Sequence, residues 1–276
     1  MATKAAATTK KAPAKSASAK TTTKKKTVTS APASASSSAL ASHVQSSLRS
    51  VALWRSLGAE FVGTLLLASV IIAGQGQPIF VLFALVGVIL LVGSISGAHV
   101  NPAMTIGALV TRRIGWLRAV GYIVAQLLGA ALAFVVLSSF IAGAAVSEEA
   151  ELFGQTAPVL FSAVDVATLV GKEWYVFFAE VLGAAILGFA IAHATRAKDV
   201  LTSAFTGGLG IFIALMVAVS AANYVGGSAI LNPAVAIALQ AYNWETIWPF
   251  VVYAVAPVLG GVAGFIIHDL LRGRTA

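Results

Sequence analysis

SGAHVNPAMTIGALV, residues Ser96 to Val110, and ILNPAVAIALQA, residues Ile230 to Ala241, share one pattern: Asn-Pro-Ala with a short apolar run behind it. The triplets are Asn101-Pro102-Ala103 and Asn232-Pro233-Ala234. Asparagine is favoured just ahead of a helix, where its side-chain oxygen accepts from an early backbone N–H. Proline fits the first helical position, where its missing N–H costs little. Each triplet therefore predicts a helix start. The runs 101–110 and 232–241 have about ten residues, or about 15 Å as helix. That is half of the ~30 Å hydrocarbon core of a bilayer. Too short to span and too apolar for ordinary loops, both read as re-entrant half-helices.

The rest of the chain fits a membrane. Of 276 residues, 58% are hydrophobic and 10% charged, and the mean hydropathy is +0.90. A soluble domain has about 25% charged residues, so the composition excludes a cytosolic enzyme. A spanning helix needs about 20 mostly apolar residues. Six segments qualify: 51–73, 78–96, 116–142, 174–195, 201–223 and 248–271. With no cysteine and four scattered histidines, disulfides, thiolate metal sites and cysteine nucleophiles are excluded. No nucleophile–base pair, metal cluster or phosphate loop is visible, so no enzyme, cofactor or metal is expected.

Charge divides the chain in two. Residues 1–50 carry eight lysines, Arg49 and no acid, whereas residues 51–276 carry nine basic and ten acidic residues. Residues 1–48, rich in Ala, Lys, Thr, Ser and Pro, cannot bury enough apolar surface to order themselves, and are expected to be a disordered tail. The tail lacks the apolar core of a secretory signal. Its lysines, among them Lys10, Lys11 and Lys24 to Lys26, suit either a nucleic-acid arm or a cytoplasmic tail touching anionic lipids. The bilayer-like body favours the lipids. With a cytoplasmic N-terminus and six spans, Arg112, Arg113, Arg118, Arg196, Lys198, Arg272 and Arg274 all fall inside. Lys172 alone falls outside, near Glu148, Glu149, Glu151, Asp165 and Glu173. This is the positive-inside pattern of an integral membrane protein with both termini in the cytoplasm, and the plasma (inner) membrane is expected.

The body, residues 49–276, repeats itself over about 51–143 and 174–271. Glu60-Phe-Val-Gly63 is echoed by Glu180-Val-Leu-Gly183, and Gln126-Leu-Leu-Gly129 by Pro257-Val-Leu-Gly260. Three spans per repeat is an odd number, so the second repeat is inverted, an arrangement that places a site near the bilayer midplane. Two inverted half-helices then meet N-terminus to N-terminus, each bringing about +0.5 of an elementary charge, and together repel cations. With the Asn oxygens engaged in capping, both side-chain NH₂ groups are expected to donate into a pore. A water accepting from both turns its hydrogens outward and interrupts a proton wire. His43, His193 and His268 fall in the tail or near span ends and read as incidental. Small residues at Gly129, Ala130, Gly183, Ala184, Gly260 and Gly261 allow close helix crossings.

The paired triplets, with Ser96 to Ala103, Ala59-Glu60-Phe61-Val62-Gly63-Thr64 and Tyr122-Ile123-Val124-Ala125-Gln126, resemble the aquaporin (major intrinsic protein) family over about residues 52–271. The resemblance implies an all-α membrane bundle of six spanning helices and two half-helices, with one pore per chain in a homotetramer. It implies a passive channel for water or small uncharged solutes such as glycerol. It also assigns Glu60 and Glu180 to holding the re-entrant loops by accepting hydrogen bonds, and His99 to the pore wall.

One departure bears on selectivity. Most members carry an arginine directly after the second triplet, and here the residue is Val235. Ungapped alignment places the other constriction residues at Val81, Ser220 and Ala229. An outer filter of these four is wide, weakly polar and without fixed charge. Two other classes stay open: a secondary transporter with inverted repeats, and a non-conducting scaffold acting through its basic tail.

Overall fold

The computed structural model describes residues 41–42, 44–142, 152–154 and 159–273. Most of the expected tail, with Glu148, Glu149, Glu151, His43 and Arg274, lies outside the described residues. Residues 44–48, counted with the tail above, are helical, so ordered chain begins ahead of the expected boundary.

Among the described residues eight helices of the bundle follow, besides a 3-10 turn at Val166–Thr168. They are α1 (Val51–Ala73), α2 (Pro78–Ser96), the short α3 (Pro102–Val110) and α4 (Trp116–Ala142). Then come α5 (Glu173–Ala194), α6 (Val200–Asn223), the short α7 (Pro233–Ala238) and α8 (Trp248–Arg272). Six of these are long and apolar enough to cross a membrane. No strand occurs among the described residues.

The packing repeats with the sequence. Helix α1 lies against α2 and α4, and α5 lies against α6 and α8. Glycines set these distances: a methyl group on Gly129 would strike the Phe61 carbonyl, and one on Gly260 the Val181 carbonyl. The half-helices cross over, α3 packing on α8 of the other repeat and α7 on α4. Neither repeat can therefore close its core alone.

Both short helices stop in the same way. Arg113 N–H reaches back to the Ala108 carbonyl, and Ala241 N–H to the Ala236 carbonyl. The residue before each, Arg112 (φ 60°) and Gln240 (φ 54°), is left-handed. This six-to-one closure normally employs glycine. It ends α7 at Ala238, three residues short of the expected run.

Helix α8 contains a π-helical stretch at Val251–Val255. Pro257 lacks the N–H that would bond Tyr253, and the Tyr242 hydroxyl lies 3.1 Å from that freed carbonyl. Such bulges are local accommodations to a missing helix bond. The same hydroxyl lies 3.2 Å from the Pro233 carbonyl, which ties the bulge to the start of α7.

Candidate pore site

Each Asn caps its half-helix as its position predicts. Asn101 Oδ1 accepts from Ala103 N–H at 2.8 Å, and Asn232 Oδ1 accepts from Ala234 N–H at 3.0 Å. Neither side-chain NH₂ group is wholly free, which narrows the expectation above to one N–H on each. Asn101 Nδ2 donates to the Leu231 carbonyl at 2.9 Å, and Asn232 Nδ2 donates to the Val100 carbonyl at 2.9 Å. Each amide thus fastens the opposite loop with one N–H and keeps one more. An asparagine at a meeting of two loops can satisfy both, since its NH₂ carries two donors.

The loops are held from behind by the two glutamates, both fully buried. Glu60 accepts from His99 N–H at 2.9 Å and Val100 N–H at 2.7 Å. Glu180 accepts from Ile230 N–H and from Leu231 N–H at 2.9 Å. Val100 (φ 41°) and Leu231 (φ 60°), one residue ahead of each Asn, are left-handed. A β-branched or bulky residue there is a strained outlier. It persists because its N–H is claimed by a glutamate and its carbonyl by the other repeat's asparagine. Gly63 and Gly183, one turn beyond the glutamates, leave room for the Val100 and Leu231 side chains. Irregular backbone at membrane depth requires this degree of satisfaction.

The two sites differ in one respect. Gln126 donates to Glu60 at 2.7 Å and to Thr105 at 3.0 Å. Its counterpart in the second repeat is Pro257, which can donate nothing, so Glu180 holds its loop with two partners and Glu60 with three. Gln126 and Thr105 escaped the list of candidate residues, although Gln126 stands 25 residues after Asn101 just as Pro257 does after Asn232. His99 is buried, with its ring edge-on to Tyr122 and its Nδ1 3.3 Å from the Thr105 hydroxyl.

A cavity of about 310 Å³ runs down to Asn232. Gln75, Gln77, Asn223 and Ser228 line its loop end, and Val81, Val219, Ala229 and Val235 line it deeper. Three of the four expected filter residues are therefore brought together. Ser220 is not, which corrects its assignment. Along α6 the cavity is lined by Ile211, Leu215, Val219 and Asn223, spaced four apart. Ser220 lies about 100° round the helix from Val219, on the exposed face with Ile213 and Met216. The connection to α7 takes up one more residue than ungapped alignment assumes. With Val219 in the place of Ser220, this set of four side chains is wholly apolar.

On the face of the bundle where α1 begins and α8 ends, Arg113 joins three elements. It donates to the Ala192 carbonyl at 2.8 Å, to Thr195 at 2.7 Å and to Asp269 at 2.6 Å. Arg196 also reaches Asp269, at 3.1 Å, and His268 Nδ1 lies 3.0 Å from the same oxygen. His268 is buried and its ring centre is 5.7 Å from that of His193. These two histidines are thus part of a cluster, not incidental as expected. No group of residues able to hold a metal occurs among the described residues.

A membrane bundle with inverted halves, two half-helices meeting at paired asparagines and a cavity leading to one of them defines a channel-type architecture. The family model of the major intrinsic protein matches residues 47–268, and the chain belongs to that family. It is 31% identical over 240 residues to "Aquaporin NIP3-1" of Oryza sativa subsp. japonica, covering 81% of this chain and 70% of that protein. It is 34% identical over 218 residues to "Glycerol uptake facilitator protein-like 6" of Lactiplantibacillus plantarum, covering 74% of this chain and 92% of that one. The fold is shared with the X-ray structure of the aquaglyceroporin from Plasmodium falciparum, at TM-score 0.58 and 18% identity over 79% of this chain and 96% of that chain. As a member of this family the chain is a membrane channel protein and not an enzyme.

Proposed function

We propose that the protein is a passive channel for water and small uncharged solutes, glycerol among them, with both termini in the cytoplasm. The observation that carries this is the cavity running between α1, α2, α6 and the α7 loop to Asn232. The remaining N–H of each asparagine and the two half-helix N-termini supply a positive midplane that opposes cations and hydronium. The neck of Val81, Val219, Ala229 and Val235 offers no side-chain donor, so a solute must pass it with few replaced hydrogen bonds. A plasma (inner) membrane location and a homotetramer with one pore per subunit accompany this reading. Similarity to proteins named as an aquaporin and a glycerol facilitator supports it.

A coupled transporter fits less well. The two deep carboxylates are occupied by backbone N–H groups, which leaves neither of them free to bind a driving ion. The test is permeation of proteoliposomes by stopped-flow light scattering, with a pH-sensitive dye inside. Water and glycerol are expected to cross faster than in empty liposomes while an imposed pH gradient persists. Collapse of the gradient through the protein would contradict the reading.

A further inference from the structure

A second cavity, of about 380 Å³, opens on the face where α1 begins and α8 ends. It lies between the turn ahead of α1 and the start of α4, lined by Ser47, Ser50, Leu53 and residues 113–118. Arg118, Ser47 and Ser50 are polar residues of this wall, and Arg113 also lines it. Arg113 commits both terminal nitrogens of its guanidinium elsewhere, one to the Ala192 carbonyl and Thr195 and the other to Asp269, so its charge is already paired. Arg118 is exposed and enters no ion pair among the described residues. From residue 43 to residue 118 the only acid is Glu60, which is fully buried and turned to His99 and Val100. The unpaired charge of this wall is therefore that of Arg118, with the Ser47 and Ser50 hydroxyls beside it. The first-turn amides of α4 add to it, since a helix start leaves its N–H groups without intrahelical acceptors.

Two exposed tryptophans stand beside it, Trp54 on α1 and Trp116 at the start of α4. Tryptophans so placed mark the level of lipid headgroups. We infer that this cavity binds the phosphate of an anionic phospholipid in the leaflet on the side where α1 begins and α8 ends. Arg118 supplies the fork geometry that suits phosphate oxygens, and the serine hydroxyls donate to the same group. The site shares no residue with the pore cavity or with the lysines of the tail. It rests on the chain being embedded in a bilayer, not on what it conducts, so its failure and that of the channel reading are distinguishable.

The experiment is native mass spectrometry of the purified full chain in neutral detergent. Phosphatidylglycerol and phosphatidylcholine of equal acyl length are titrated in parallel, with inorganic phosphate as a third arm. Phosphatidylglycerol is expected to be retained in preference to phosphatidylcholine. Removing a charge-assisted hydrogen bond corresponds to about tenfold in affinity. Arg118→Gln alone, and Arg118→Gln with Ser47→Ala and Ser50→Ala, are each expected to lose that factor or more, with unchanged thermal unfolding and glycerol permeability. Lys24→Gln, Lys25→Gln and Lys26→Gln together are expected to leave retention unchanged. Equal retention by the Arg118 variants and the unaltered chain would overturn the proposal, as would loss confined to the lysine variant. Inorganic phosphate binding as tightly as the lipid would make this a free-anion site and overturn the lipid assignment.

Discussion

At the scale of single residues, Val100 and Leu231 are each gripped twice: their N–H groups by the glutamate of their own repeat, their carbonyls by the asparagine of the other. Removing one grip strands buried polar groups, at about 1–3 kcal/mol each. Glu180→Ala leaves the N–H groups of Ile230 and Leu231 without an acceptor. The expected loss is about 4 kcal/mol, read as a lower unfolding temperature in detergent. Glu180→Gln, which keeps one acceptor oxygen, is expected to lose less. An Ala variant that unfolds with the unaltered chain would refute the double grip. The glutamates, asparagines and prolines were legible because each type has few uses at membrane depth. The fate of the Asn NH₂ groups was not, because the carbonyls they meet lie 130 and 132 positions away in the chain.

At the scale of elements, composition and cap chemistry located the helices well. The first three spans, 51–73, 78–96 and 116–142, have the bounds expected from sequence. The shortening of α7 was hidden because left-handed closure usually announces itself as glycine, and here the closing residue is Gln240. Its counterpart Arg112 gives a test. An L-residue held left-handed costs roughly 1–2 kcal/mol, so Arg112→Gly is expected to raise stability by about 1 kcal/mol in thermal unfolding, with permeability unchanged. A lower unfolding temperature would mean that Arg112 makes contacts outweighing its backbone strain. The phase of α6 was also illegible. It depends on how many residues the connection to α7 consumes, and a single residue separates Val219 on the cavity wall from Ser220 on the exposed face.

At the scale of the whole molecule, each half-helix is packed by the other repeat, so the two loops are positioned only when both repeats are folded. That interlock places two helix starts and two asparagines together, and leaves a cavity that reaches Asn232 and is lined in part by Val81, Val219, Ala229 and Val235. The central claim is that this apolar neck, with Val219 in it and Ser220 outside it, is where solute passes. Glycerol influx into proteoliposomes, compared between the unaltered chain, Val219→Trp, Ser220→Trp and Val235→Arg, tests it most directly. Influx is expected to be well above that of empty liposomes for the unaltered chain and for Ser220→Trp, and to fall about tenfold or more for Val219→Trp and Val235→Arg, as a side chain closing the path costs at least ~1.4 kcal/mol. A block by Ser220→Trp with free passage through Val219→Trp, or no influx above empty liposomes in any of them, would contradict it.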